Sequence, residues 1–299
     1  MIDKKLLTER VKKVLEKNDF DTFLFSGIFD VAGRREYTLL VKTLLNIDSL
    51  LEHQAMSLRV ASTFLSAHPL IVSVKNNRSK LLDRLIYSRF GLPVVTPSTF
   101  EELLFEDALP YVYSIKGKHV VSIDKERMRK RRKELGYTME QLAKKIDVST
   151  KTIYEIETGR VNPTLETVEK LEKVLNESLK SRYTLSATKI ERTYIEPPTH
   201  LAKIVSQKFD SWNVEHSYIY SRLIDIMGKK NVSVATTLLD TKKITIRNIA
   251  RFGEFFDCWT VFIAKRKLEL PEVPSICLDE LEEINTFKEF LRLLKEKQA

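Results

Sequence analysis

The sequence predicts a multi-domain protein in which α/β segments at both ends flank an all-α middle. Three observations carry this expectation. At 299 residues the chain is longer than one core usually organises. Helical and strand periodicities alternate over residues 1–118 and again over 200–299, whereas 122–180 hold the helical period throughout. Residues 181–199 then read as a linker. They end in "EPPTH", where Pro197 and Pro198 cannot continue a helix.

Composition bounds the function classes. Hydrophobic residues make up 43% and charged residues 30%, ordinary for a globular protein in water. No apolar run reaches the length of a membrane span. The opening "MIDKKLLTERVKKVLEK" is charged throughout and lacks the apolar core of a signal peptide, so a cytoplasmic location is expected. Cys258 and Cys277 are far apart and are expected as buried thiols. The five histidines (His53, His68, His119, His200, His216) form no ligand spacing, and neither a metal nor a cofactor is expected. The net charge of +9 and pI near 9.3 favour a polyanionic partner. Its densest cluster is "RMRKRRK", Arg127 to Lys133, part of which also reads as a solvated helix face.

In the first segment, "LLTERVKKVLEK" places Leu7, Val11, Val14 and Leu15 on one helix face, and "DTFLFSG" is a short strand. "IFDVAGRREYTLLVKTL" predicts two strands turning at Gly33-Arg34. "DSLLEHQAMSLRVASTFLSA" is helical through Leu50, Leu51, Met56, Val60 and Phe64. "LIVSVKN" is a strand, "KLLDRLIYSRF" a helix and "LPVVT" a strand. "STFEELL" opens a helix with Ser98 as cap and Glu101 three residues on. The last segment follows the same order: "HLAKIVSQKFDSW" a helix, "YIYSRLIDIMGKKNVSVAT" a strand pair, "KKITIRNIARFGEFF" a helix, "WTVFIA" and "VPSICL" strands, "DELEEI" a helix start.

The likeness extends to residues. "FDVAGRR" aligns with "IDIMGKK", matching Asp30 to Asp225, Gly33 to Gly228 and Arg34-Arg35 to Lys229-Lys230. A glycine turn flanked by charges is common by itself. Combined with the shared element order, it predicts a duplicated domain.

The middle carries the sharpest signals. Thr138 and Gln141 have capping-box spacing, so a helix starts at Met139 with Leu142 and Ile146 inward and the small Ala143 at a helix crossing. Asp147 and Val148 form a turn, Asp tolerating the left-handed conformation and Val148 plugging the core. Ser149 caps a second helix with Ile153 and Ile156 inward, and Gly159 ends it. Pro163-Thr164 starts another helix carrying Val168, Leu171, Val174 and Leu175. "KERMRKRRKEL" supplies an opening helix with Met128 and Leu135 inward. Such spacing could also serve a plain αα-hairpin or a dimerisation module.

"LAKKIDVSTKTIYEIETGRVNPTLETVEKLEKVL" resembles the Cro/C1 repressor family, with its signature positions in order; Asp147 stands where that family usually has Gly. The resemblance implies a five-helix, helix-turn-helix domain that binds double-stranded DNA. Its second helix would lie in the major groove, with base contacts from Thr150, Lys151, Tyr154 and Glu155. Phosphate contacts would come from Thr138, Gln141, Ser149 and Arg160.

The flanking order, with "FDVAGRREYTLLVK", resembles the restriction-endonuclease-like fold, giving two such α/β domains around the helical one. Active members need an Asp and a Glu/Asp-x-Lys to hold Mg²⁺ and activate water. Here Asp30 and Lys42 are present, but Leu40 occupies the second carboxylate position, and the second segment has Asp225 without a lysine. Both domains are therefore expected to be degenerate and catalytically inactive.

Over its full length the arrangement resembles the archaeal family of HTH-type transcriptional regulatory proteins. This implies a sequence-specific DNA-binding regulator acting as a homodimer, since one recognition helix reads only a few base pairs. The alternatives are a Mg²⁺-dependent nuclease targeted by the helix-turn-helix, and a protein-partner scaffold. The effector ligand stays open.

Overall fold

Local chemistry sets the first helix. Asp3 accepts the Leu6 amide at 2.7 Å and caps α1 (Lys4–Lys17), whose Leu7, Val11, Val14 and Leu15 are all buried. The computed structural model describes residues 3–105, 109–110, 112–115, 118–183, 192–239, 246–268, 270 and 272–298. After α1 come β1 (Asp21–Leu24), β2 (Val31–Arg34), β3 (Thr38–Asn46), α2 (Glu52–Phe64) and β4 (Ala67–Lys75). Next are β5 (Ile86–Arg89), β6 (Leu92–Val95), α3 (Pro97–Phe105), β7 (Leu109–Pro110), β8 (Val112–Ile115) and β9 (Lys118–Val121). The middle holds α4 (Lys125–Glu134), α5 (Met139–Ile146), α6 (Thr150–Thr158), α7 (Leu165–Leu175) and β10 (Arg182–Tyr183). The last segment holds α8 (His200–Ser211), β11 (Glu215–Tyr218), β12 (Ile226–Lys229), β13 (Ser233–Leu239) and α9 (Ile246–Phe256). It ends with β14 (Trp259–Ala264), β15 (Ser275–Cys277), α10 (Leu278–Glu283) and α11 (Phe287–Gln298).

Contacts divide the chain into two units. The first comprises Met1–Thr43, Asp48–Pro69 and Lys189–Ala299. In it β1, β2 and β3 form an antiparallel meander. β11, β12 and β13 repeat that meander, and β14 and β15 extend the second sheet in parallel. The repeat reaches the hydrogen bonds. Asp30 donates its amide to Val41 O (2.9 Å) and accepts the Thr43 amide on Oδ2 (2.8 Å). Asp225 donates to Thr236 O (2.8 Å) and accepts the Leu238 amide on Oδ2 (2.8 Å). Glycine packs closely at equivalent places: a Cβ on Gly33 would come within 2.9 Å of the Leu15 side chain, and one on Gly228 within 2.8 Å of the Phe209 ring. Phe23, Phe25 and Phe29 pack against Phe252, Phe255 and Phe256 of α9, with Phe23 stacked on Phe255 at 5.2 Å. Edge-to-face and offset ring contacts of this kind add to the area they bury. Cys258 and Cys277 are both buried and free.

The second unit comprises Leu44–Ile47 and Leu70–Thr188. Its strands run β4-β6-β5-β8-β9, mixing parallel and antiparallel pairs. Four helices follow. Their core is Met128, Leu142, Ala143, Ile146, Ile153, Ile156, Val168, Leu171 and Leu175, with Val148 packed against it.

Several sequence expectations are corrected. The middle has four helices among the described residues, not five. Asn176 takes the left-handed conformation (φ 47°) after α7, and the chain then bridges back through Lys180 to Ile123. "KLLDRLIYSRF" is not a helix: Arg84 is left-handed (φ 59°), and Tyr87–Arg89 pair with β6. The hairpin turns at residues 35–37, because Gly33 sits inside β2 opposite Leu39, beneath Leu15. Thr96, not Ser98, caps α3; its hydroxyl accepts the Thr99 amide at 3.1 Å, and Pro97 follows as the first helical residue. Leu135 is 38% exposed, and Arg132 takes the inward position instead. The chain also forms a C-terminal helix, α11, beyond the expected elements. Residues 184–191 of the expected linker and 242–245 of an expected helix lie outside the described residues.

Candidate nucleic-acid interface

The turn between α5 and α6 is built from local rules. Thr138 Oγ1 accepts the Gln141 amide (3.1 Å) and Gln141 Oε1 accepts the Thr138 amide (2.9 Å), closing the capping box. Asp147 ends α5 at φ 59°, the left-handed region that a short polar side chain tolerates. Ser149 Oγ accepts the Thr152 amide at 3.0 Å and starts α6, which Gly159 closes at φ 77°.

This geometry sorts the side chains of α6. Ile153 and Ile156 point into the core. Thr150, Lys151 and Tyr154 are exposed and Glu155 is half-buried, a spacing that puts all four on one helix face. In the free protein this face pairs with itself. Lys151 Nζ lies 3.9 Å from Glu155 Oε1, and the Arg160 guanidinium sits over the Tyr154 ring at 5.3 Å. Thr138, Gln141 and Ser149 use acceptor oxygens in the caps, and the exposed Gln141 amide nitrogen lies outside those cap bonds. The first-turn N–H groups of α6 are unsatisfied by the helix itself and attract anions.

A buried ion pair that sequence reasoning missed lies behind this face. Arg132 of α4 donates to both carboxylate oxygens of Glu157 on α6, Nε to Oε1 at 2.6 Å and Nη2 to Oε2 at 3.0 Å. Its Nη1 reaches Tyr137 O at 2.8 Å, and hydrogen bonding to Glu157 holds the guanidinium above its ordinary pKa despite burial. A bidentate Arg–carboxylate pair fixes two elements in one geometry. The rest of the Arg127–Lys133 run is largely neutralised in place. Arg127 meets Asp124 and Glu177, and Lys130 and Arg131 meet Glu134.

The nuclease-like candidates are brought together in the first unit. Lys42 Nζ lies 3.8 Å from Asp30 Oδ2 and donates to Gly27 O at 2.6 Å. Burial pushes the Lys42 ammonium below its ordinary pKa, partly offset by Asp30. Lys4 Nζ occupies the other side of the carboxylate, 2.9 Å from Asp30 Oδ1. Leu40 is fully buried.

A capped, left-handed turn between two short helices, with one polar face on the second, defines a helix-turn-helix protein. Comparison with known families agrees: a helix-turn-helix model matches residues 128–181, and a PD-(D/E)XK superfamily domain model matches residues 4–110. Relatives of the chain carry the name "Putative HTH-type transcriptional regulatory protein". One from Pyrococcus furiosus is 29% identical, covering 100% of this chain and 99% of the relative. Another from Archaeoglobus fulgidus is 27% identical, covering 98% of each. A third, from Methanothermobacter thermautotrophicus, is 34% identical over 58% of this chain and 57% of its own. The chain is thus similar over its full length to these archaeal proteins. No solved structure matches it. No described helix is long and apolar enough to cross a membrane.

The PD-(D/E)XK likeness implies a divalent cation beside Asp30, and the residues present do not fit one. A hard cation wants several oxygen ligands, including two carboxylates here. Leu40 supplies none, Lys4 and Lys42 put positive charge against the one carboxylate, and no cluster of three or more acidic, His or Cys side chains forms among the described residues.

Proposed function

We propose that this chain is a sequence-specific DNA-binding transcription regulator that acts as a dimer and reads the major groove with α6. The observation that carries this is the single polar face of Thr150, Lys151, Tyr154 and Glu155 on a helix whose N-terminus is capped and free of acidic residues. Lys151 would donate to guanine, Glu155 accept from cytosine N4, and Thr150 touch a thymine methyl. Arg160, Gln141, Thr138 and Ser149 would meet phosphates. Reading requires the Lys151–Glu155 and Arg160–Tyr154 contacts to open, so each of those groups exchanges an internal partner for one on DNA. The names of the relatives support the same reading.

The reading domain spans 122–180, between α/β domains at 1–118 and 200–299 with a linker at 181–199. The second α/β domain is a duplicate of the first, and both are inactive as nucleases because Leu40 replaces a carboxylate and Thr237 stands at the Lys42 position. Selection of bound sequences from random DNA tests the function. A two-fold-related site is expected, with half-site centres about one helical turn apart. Lys151→Ala and Glu155→Ala should alter base preference, whereas Arg160→Ala should weaken all sequences and lower the salt slope by about one. The absence of any preferred site at physiological salt would sink the proposal.

A further inference from the structure

The Asp30 pocket contains more positive charge than its carboxylate can use. A cavity of about 570 Å³ opens beside it within the first unit, in the size range of small-molecule sites. Among the described residues three cations line it, Lys4, Lys42 and Arg222, against Asp30 as the one carboxylate. Both oxygens of that carboxylate are committed, Oδ1 to Lys4 and Oδ2 to the Thr43 amide. Arg222 is exposed and has no carboxylate partner among the described residues. The Lys4 ammonium has three donors, of which Asp30 Oδ1 takes one. Tyr220, 44% exposed, presents a ring on the same wall, with His53 edge-on to it at 5.4 Å.

We infer that this pocket binds a small phosphate monoester carried on an aromatic group, of mononucleotide size, and that the Lys4 ammonium stands where a nuclease would hold its metal. The guanidinium of Arg222 and the free donors of Lys4 would take the phosphate, as charge-assisted bonds to oxyanions do. Tyr220 would stack on the ring. The inference rests on the reading of this site as catalytically inactive.

Calorimetric titration of the full chain tests it with adenosine 5′-monophosphate, adenosine, inorganic phosphate and MgCl₂ in separate runs. The monophosphate should bind, adenosine should not, and inorganic phosphate should bind more weakly than the monophosphate. Arg222→Gln should weaken the monophosphate about tenfold, the worth of one charge-assisted bond. Tyr220→Ala should weaken the monophosphate but leave inorganic phosphate unchanged. Both side chains are exposed, so these variants should keep the parent's circular dichroism spectrum. Failure of both phosphate and the monophosphate to bind at about 10 mM would overturn the inference. So would Mg²⁺ binding that Asp30→Asn abolishes. DNA cleavage with Mg²⁺ or Mn²⁺, lost in Asp30→Asn, would instead overturn the inactive reading, so the two failures are distinguishable.

Discussion

Replacing Glu157 with Gln isolates what holds α6 in place. The Glu157 side chain is fully buried and that of Arg132 is 8% exposed. The substitution keeps the shape of the side chain but removes its charge and turns one acceptor oxygen into a donor facing the guanidinium. Arg132 then stays buried with Tyr137 O and half of a former bidentate partner. Breaking a buried pair from one side costs about 3–5 kcal/mol, most of it from the uncompensated charge. Against a typical domain stability of about 5–15 kcal/mol that is a large share. The exposed Lys151–Glu155 pair, by contrast, has its lysine 81% exposed and its charges 3.9 Å apart, a geometry worth about 0.3–0.5 kcal/mol.

The assay is hydrogen exchange on the full chain, resolved over α5 and α6, beside a denaturant melt. Glu157→Gln should lower protection of α6 by about the same 3–5 kcal/mol and weaken DNA binding without changing which bases are preferred. The double variant Arg132→Met with Glu157→Leu should recover most of the stability, because an apolar pair of similar volume has no desolvation to offset. If Glu157→Gln costs under about 1 kcal/mol and leaves α6 exchange unchanged, the pair is not what fixes this helix.

Other expectations follow from single positions. At Asp147, held at φ 59°, substitution by Ala should cost about 1 kcal/mol and by Gly close to nothing, read from urea midpoints. Gly228→Ala would drive a Cβ to 2.8 Å from Phe209, so a loss of about 1–3 kcal/mol should appear as a lowered Tm. Burial, and secondarily Asp257, pushes the Cys258 thiol up to about 12. An ordinary thiol titrates near 8.5, so the folded state disfavours the thiolate: stability should be intact below that pH and lost as pH rises towards 12. The parent should therefore weaken relative to Cys258→Ala over that window, measured by midpoints at each pH.

The helix-turn-helix was legible because its determinants are local. Caps at Thr138 and Ser149, left-handed residues at Asp147 and Gly159, and apolar spacing within each helix all act over three or four residues. The Arg132–Glu157 pair was not, since 25 residues separate its partners and a run of arginines looks the same whether buried or solvated. "KLLDRLIYSRF" misled for a different reason. Its Leu81, Leu82, Leu85 and Ile86 fit a helical period, and only the partner strand at Leu92–Val95 decides between helix and strand. Leu135 misled likewise, because apolar spacing cannot reveal that a paired arginine fills the inward site. The Asp30 pocket was half legible: Asp30 and Lys42 follow from their strand positions, whereas Lys4, Arg222 and Tyr220 come from other elements.

The two halves of the first unit also give the aspartate a structural role that needs no catalysis. Asp30 and Asp225 each leave a loop, donate their amide to the neighbouring strand, and accept on Oδ2 the amide two residues beyond that partner. A strand N–H that would otherwise be buried and unsatisfied is thereby paired, a contribution of about 1–3 kcal/mol that needs no metal. The loop before each aspartate is closed in parallel ways, by Lys42 Nζ on Gly27 O in one half and by the Thr237 hydroxyl on Leu223 O in the other. Thr237 does this without a charge, so loop closure alone does not require the lysine at position 42. What distinguishes the first half is that its lysine, joined by Lys4, leaves positive charge facing a cavity. A scaffold role accounts for the aspartate in both halves, and ligand binding accounts for the extra cations in one.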